Sequence, residues 1–151
     1  MKTKRSLSLL LCVVMLVSTL VFPAYADSTS VSVTFAAQKD GAFIFAPQSI
    51  EVKDGIAEEY GYTVKENITS PTFLDALVAV HKAKYGDAFT KESAKNYLDV
   101  TSGGWILKSF ESADSYGFTV NSSSAALSNE QIIKNGDTLE YYFYMDTTTW
   151  S

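Results

Sequence analysis

His81 is the only histidine in this chain of 151 residues, and its imidazole could serve as a general base or as a metal ligand. A metal site needs several ligands, however, and no second histidine is present. A Ser-His-Asp triad would need a serine on a Gly-x-Ser-x-Gly turn, which the sequence lacks. Because His81 continues the apolar row of Leu74, Leu77 and Val78 at helical spacing, we interpret it as a structural residue.

The carboxylates are less informative about catalysis. With 17 acidic residues, some pair at the spacing of a glycosidase is almost unavoidable. Gly103-Gly104 is followed by neither a predicted helix nor a lysine, so no phosphate-binding loop is expected. Four aspartates could together bind Ca²⁺, although caps and turns explain some of them equally well and no Asp-x-Asp-x-Asp-Gly loop is present: Asp54, Asp75, Asp137 and Asp146. The sequence therefore predicts no catalytic residues, no metal site and no cofactor.

The aromatic residues are the stronger functional signal. Tyr142 and Tyr144 lie on one face of a predicted strand, opposite the face that carries its most apolar residues. Tyr and Trp side chains combine a large apolar area with a polar tip, which suits binding. The alternative is that the segment 87–100 or the C-terminal tail covers this face. The ligand-binding residues that we predict are Trp105, Tyr142, Tyr144 and Trp150.

Residues 1–26 are typical of a secretory signal peptide. Basic residues precede an apolar stretch at 7–22, and the Ala-Tyr-Ala sequence at 24–26 supplies the small residues that precede cleavage. We expect 27–151 to form one domain that is secreted or extracellular and has no membrane segment after cleavage. An exported chain without disulfides is most typical of a Gram-positive bacterium.

The charge and cysteine content of the expected mature chain exclude several functions. Of the 12 basic residues, Lys2, Lys4 and Arg5 lie in the leader, which leaves nine lysines against 17 acids and a net charge of −8. An anionic domain without arginine lacks the positive field that nucleic-acid binding requires, so no nucleic-acid partner is expected. The only cysteine, Cys12, is also in the leader, which excludes thiol catalysis and thiolate metal sites.

One long amphipathic segment predicts the main helix, at about 70–86. Ser70 is a favourable N-cap, Pro71 suits the first helical position, and Gly86 is a stop signal. A second short helix is expected at about 90–100.

Alternating apolar residues predict the strands, and Pro47 indicates a sheet edge or a bend. We expect 105–110 and 116–120 to form a hairpin and 121–124 to be a loop. The predicted strands are 31–35, 43–45, 50–53, 105–110, 116–120 and 138–146. This order predicts an α+β fold with one sheet packed on the main helix.

Five stretches, in this order along the chain, resemble the transcobalamin C-terminal-like domains of secreted and cell-surface bacterial proteins: 58–62, 73–78, 117–121, 135–140 and 144–151. The resemblance covers nearly all of 31–151. It implies a β-grasp-type fold, in which a mixed sheet wraps around one main helix. In the animal cobalamin carriers, the related domain forms one wall of the corrinoid site.

The resemblance and the exposed aromatic residues together lead to two hypotheses. The first is a non-enzymatic extracellular binding module, whose ligand is a corrinoid-like molecule, a glycan or a surface-protein partner. The second is a structural or adhesion domain of the bacterial cell surface that has no small-molecule ligand.

Overall fold

The computed structural model describes residues 29–125, 127–145 and 148. The predicted signal peptide lies outside these residues. None of the helices in the described part of the chain is both long and apolar enough to span a membrane.

The chain folds as α+β, with a mixed five-stranded sheet and one main helix. The strands are β1 (Ser30–Lys39), β2 (Ala42–Lys53), β3 (Asp99–Val100), β4 (Ile106–Lys108), β5 (Tyr116–Val120), β6 (Ser123–Ser124) and β7 (Thr138–Phe143). The helices are α1 (Ile56–Glu59) and α2 (Phe73–Tyr85), with 3-10 turns at Gly86–Ala88 and Ala94–Asn96. The large sheet has the order β2-β1-β7-β5-β6, and β3 pairs with β4 separately.

At the centre of the large sheet, the first strand of the chain lies beside the last strand. Strands β1 and β7 are parallel neighbours, whereas the β1–β2, β5–β7 and β5–β6 pairs are antiparallel. Strand β2 lies at an edge, one of the two possibilities that Pro47 indicated, because a proline cannot donate to a second neighbour. The prediction of two separate strands at 43–45 and 50–53 is wrong, because β2 runs through Pro47 as one strand.

The N-cap of helix α2 lies two residues later than predicted. Thr72 is the N-cap: its hydroxyl oxygen accepts from the Asp75 N–H at 3.3 Å, and Asp75 accepts from the Thr72 N–H at 2.8 Å. Ser70 and Pro71 lie outside the helix, because Pro71 and Thr72 pair with 131–133 instead; the Ile133 N–H donates to the Pro71 carbonyl at 3.0 Å. A capping box satisfies the free N–H groups at the helix start, which explains why Thr72 prevails.

Helix α2 packs on both of its sides, and every side chain from Phe73 to His81 is buried. Towards the sheet, Phe73 stacks on Phe118 with ring centroids 4.2 Å apart. On the other side His81 stacks on Phe110 at 4.3 Å, within the segment that follows the helix. A helix that is apolar all around its axis needs cover on both sides, and the segment 86–112 provides the second cover.

The second helix is shorter than predicted and is limited to the 3-10 turn at Ala94–Asn96. The Ser93 hydroxyl accepts from the Thr90 N–H at 2.9 Å and donates to the Ala88 carbonyl at 2.6 Å. Such local bonds from side chain to backbone compete with helical hydrogen bonds. The chain then turns into β3 at residues that had been predicted as helical.

The predicted hairpin of 105–110 with 116–120 is wrong, because β4 pairs with β3. A tight turn bridges Ser109 and Ser112, and Phe110 and Glu111 have φ angles of 51° and 64°. The predicted loop at 121–124 is in fact a second hairpin, in which β6 pairs with Thr119 and Val120. The two residues between β5 and β6 both have positive φ angles, which is typical of the type I′ turn that closes such hairpins.

Candidate functional site

An aromatic groove of about 560 Å³ lies beside β5, and three of the predicted ligand-binding residues line it. Tyr142 comes from β7, Tyr144 from the residues just after it, and Trp105 from the chain just before β4. Leu107 of β4 and Asp114 of the connection to β5 complete the rim. A volume of this size lies within the range of small-molecule and peptide sites.

Gly117 allows the Tyr142 ring to lie against β5. The two residues are paired across the antiparallel β5–β7 ladder. A Cβ atom at Gly117 would lie 2.6 Å from the Tyr142 ring, which is closer than carbon atoms can approach. Tyr142 also makes an edge contact with Tyr144, with ring centroids 5.4 Å apart. Partial burial raises the pKa of Tyr142, so its phenol is neutral at physiological pH.

The backbone of Trp105 is fixed at the groove by two hydrogen bonds to Thr101. Its N–H donates to the Thr101 hydroxyl at 3.1 Å, and its carbonyl accepts from the Thr101 N–H at 2.9 Å. The preceding Gly104 has φ +84°, and an added Cβ there would lie 2.0 Å from the Asn129 Oδ1. Trp105 is 58% exposed as a residue, so a fixed backbone presents an accessible side chain.

Tyr116 joins the two walls of the groove. Its hydroxyl oxygen accepts from the Ile106 N–H at 2.9 Å, which links β5 to β4 without a strand ladder. Its ring stacks on buried Tyr141, with centroids 5.5 Å apart. The opening between β4 and β5 is therefore bridged by a side chain anchored in the core.

The acid at the rim of the groove belongs to a small polar network. The Lys39 ammonium donates to Asp114 at 2.5 Å and to the Ser112 hydroxyl at 3.0 Å, and that hydroxyl donates to Asp114 at 2.6 Å. The hydrogen bond from Lys39 lowers the pKa of Asp114. A second depression of about 350 Å³ contains Lys39 and Met145 and shares Tyr142 and Tyr144 with the groove. The tyrosine pair thus separates two adjacent depressions.

His81 is not a residue of the groove; it is fully buried between α2 and the turn after β4. Its Nδ1 lies 2.7 Å from the Leu77 carbonyl, and its Nε2 lies 3.0 Å from the Phe110 N–H. The first contact requires a proton on Nδ1 and the second requires a lone pair on Nε2, so the ring is neutral. Burial lowers the pKa of His81 to about 4. The geometry supports the structural interpretation of this residue.

Two of the four aspartates considered as Ca²⁺ ligands have local structural partners. Asp75 is buried in the α2 cap and also accepts from the Ala57 N–H at 2.9 Å. Asp137 accepts from the Lys134 N–H at 2.7 Å and from the Asn121 amide at 2.8 Å, within a turn. Asp146 lies outside the described residues. Across 29–125, 127–145 and 148, no group of three or more metal-ligating side chains occurs.

The structure brings Trp105, Tyr142 and Tyr144 to one groove, whereas Trp150 lies outside the described residues. The alternative that 87–100 covers the tyrosine face does not hold, because this segment packs on α2: Phe89 lies against His81 with ring centroids 5.6 Å apart.

Sequence reasoning missed Leu107, Tyr116 and Gly117 as residues of the groove. The alternation of Trp105 and Leu107 could have indicated a shared face for those two. Nothing in the sequence reveals the pairing of Gly117 with Tyr142, which depends on the register of two distant strands.

No protein-family model, curated protein or solved structure matches this chain.

Proposed function

We propose that this chain is a non-enzymatic extracellular binding module of β-grasp type, spanning 27–151 after removal of a signal peptide. Its ligand lies in the groove beside β5. The observation that carries the proposal is the meeting of Trp105, Tyr142 and Tyr144, from separate parts of the chain, around one opening of about 560 Å³.

The strand order supports the β-grasp assignment. The β1–β2 hairpin is followed by the main helix, and the last strand, β7, returns to lie parallel to β1 at the centre of the sheet. A mixed sheet around one main helix is what the resemblance to transcobalamin C-terminal-like domains implies. Helix α2 also packs on one face of that sheet, as a β-grasp requires.

The chemistry of the groove favours recognition over bond breaking. Its described lining carries one carboxylate, Asp114, whose oxygen is already engaged by Lys39 and Ser112. The only imidazole is buried elsewhere, with both nitrogens at main-chain partners. What the groove offers instead is aromatic faces with hydroxyl and indole N–H groups at their rims. Such surfaces bind flat or extended ligands, including corrinoid-like molecules, sugar rings and peptides.

Fluorescence from Trp105 tests the proposal directly. Because Trp105 and Trp150 are the only tryptophans, a Trp150→Phe chain has a single reporter at the groove. Titration with oligosaccharides and peptides, together with equilibrium dialysis of cobalamin and related corrinoids, should find one class that binds saturably. The control is Trp105→Phe in the otherwise native chain, in which binding measured by equilibrium dialysis should weaken. If no class binds saturably up to millimolar concentration, the proposal is wrong.

A further inference from the structure

The two edges of the large sheet differ in how well they are protected against pairing with another strand. The edge at β2 is protected. The β1–β2 register shifts twice, leaving bulged residues around Ile44 and Pro47. The Lys84 ammonium donates to the Ile44 carbonyl at 2.8 Å, so that acceptor is already occupied. Bulges, prolines and lysines at an edge are the usual means by which proteins prevent unwanted strand pairing.

The edge at β5 has none of these features. Strand β6 pairs only with Thr119 and Val120, and the Ala125 N–H adds one bond of 3.3 Å to the Phe118 carbonyl. No other described strand pairs with β5 on that side. The stretch of β5 that β6 does not pair with, Tyr-Gly-Phe at 116–118, includes no proline and no charge, and on this side Ala125 engages only the Phe118 carbonyl. This stretch is part of the lining of the groove.

Hydrogen-bond alternation shows which backbone groups of β5 are exposed at this edge. On the β7 side, the Tyr144 N–H donates to the Ser115 carbonyl at 2.9 Å, and the Asn121 N–H donates to the Thr138 carbonyl at 2.8 Å. In an antiparallel ladder, alternate residues bond to the same neighbour, so the odd-numbered residues of β5 serve β7. The N–H and C=O of Tyr116 and the N–H of Phe118 therefore point away from β7, towards the groove.

We infer that the groove binds an extended peptide segment of a partner protein, which pairs with β5 at Tyr116 and Phe118 and continues the ladder that β6 begins. This inference rests on the proposed binding function and specifies its ligand. Main-chain pairing requires a partner with alternating N–H and C=O groups, which a polypeptide has and a sugar or a corrinoid does not.

The walls of the groove define the side chains that such a peptide would carry. Trp105 and Leu107 are 58% and 55% exposed on the β4 side, and Tyr142 and Tyr144 lie beyond β5. Since side chains of a strand alternate, apolar residues at every second position would contact these walls. The net negative charge of the chain favours a peptide that is neutral or basic.

The experiment begins with a random dodecapeptide phage library panned on the purified chain. An enriched peptide is then synthesised and titrated while amide hydrogen exchange is followed by NMR. Binding should slow exchange at the Tyr116 and Phe118 N–H groups at least tenfold. The Thr119 N–H, which already faces β7, should change little. A peptide N-methylated at the amides of its pairing edge should bind at least tenfold more weakly than one methylated at the other edge.

Two matched lysine variants distinguish peptide binding in the groove from non-specific binding to exposed apolar residues. Leu107→Lys should weaken peptide binding at least tenfold, because it places a charge on an apolar wall of the groove. Ile132→Lys changes an exposed apolar residue that does not line the groove and should leave affinity unchanged. Both positions are solvent-exposed, so circular dichroism and urea unfolding should show that both variants still fold.

The outcomes distinguish this inference from the proposed function. No enriched peptide, or a bound peptide that leaves exchange at Tyr116 and Phe118 unchanged, overturns the inference. If an oligosaccharide or a corrinoid saturates the Trp105 signal while no peptide does, the binding function stands and the peptide assignment fails. If none of the three classes binds saturably, both are wrong.

Discussion

Acidification should destabilise this protein through one residue, His81. Its ring is fully buried and neutral, and its Nε2 lone pair accepts from the Phe110 N–H at 3.0 Å. A second proton would place an N–H against that donor and a charge in an apolar cluster. The turn held by this contact contains Phe110 and Glu111, both with positive φ angles, and leads directly into the wall of the groove. The environment of His81 therefore connects pH with stability near the groove.

The size of the effect follows from the two pKa values of His81. Burial lowers the folded-state pKa to about 4, from an ordinary value of 6.5. Above pH 6.5 neither state binds the proton, so the free energy of unfolding has no contribution from this titration. Between pH 6.5 and 4 only the unfolded state is protonated, and stability falls by about 1.4 kcal/mol per pH unit. The total loss is about 3 kcal/mol, or more than a hundredfold in the unfolding equilibrium constant.

Other groups also titrate in this range, so a matched variant is needed. Burial raises the pKa of Asp75, and a carboxyl with a raised folded-state pKa gains stability as the pH falls, which opposes the effect of His81. His81→Gln keeps a hydrogen-bond acceptor near the Phe110 N–H but cannot bind a proton. The difference between the two chains at each pH isolates the contribution of His81.

The assay is urea unfolding of both chains at half-unit steps from pH 7 to 4, with the His81 ring signal followed by proton NMR. Since the chain has one histidine, that signal needs no assignment. The free energy of unfolding of the native chain, relative to that of His81→Gln, should fall by about 3 kcal/mol from pH 7 to 4. A His81 pKa at or above 6 in the folded protein, or parallel stability curves for the two chains, would refute the reasoning.

Two further predictions concern the backbone that supports the groove and the main helix, and urea unfolding measures both. Gly104→Ala should cost about 3–5 kcal/mol, because its Cβ would meet Asn129 in addition to the strain of positive φ. Gly61→Ala has the same φ of +84° with nothing within 4 Å, so it should cost only about 1–2 kcal/mol, and equal losses would rule out the clash. Thr72→Ala should cost about 1–2 kcal/mol through loss of the α2 cap, and Thr72→Ser clearly less. Equal losses in the two Thr72 variants would mean that the hydroxyl cap is not the cause.

Local patterns of the sequence predicted the elements whose cause is local. The apolar spacing of 73–81 with Gly86 as a stop indicated α2, although the cap moved to Thr72 because Pro71 pairs with a distant segment. Alternation indicated β7, and Pro47 indicated an edge or a bend, of which the edge is confirmed for β2. Each of these features depends on neighbours within a few residues of the chain.

Pairing between distant segments was decided only in the folded molecule. The strands at 105–110 and 116–120 have the pattern of a hairpin, yet β4 pairs with β3 across the turn at 101–105, where the Thr101 N–H donates to the Trp105 carbonyl at 2.9 Å. The short β6 lies in a segment whose sequence predicts a loop. Its two residues form a strand because they pair with β5. Strand partners are chosen by tertiary contacts that alternation alone does not contain.

The candidate site shows the same division. The sequence by itself determined that the chain has one histidine and an aromatic strand whose two faces differ, and it therefore favoured a binding role over catalysis. Only the tertiary structure brought Trp105 to the tyrosine pair, placed Gly117 beneath Tyr142, and left residues 116–118 of β5 without a strand neighbour on one side among the described residues. The reason is physical: side-chain chemistry belongs to each residue, whereas a groove exists only between surfaces that long-range packing brings together.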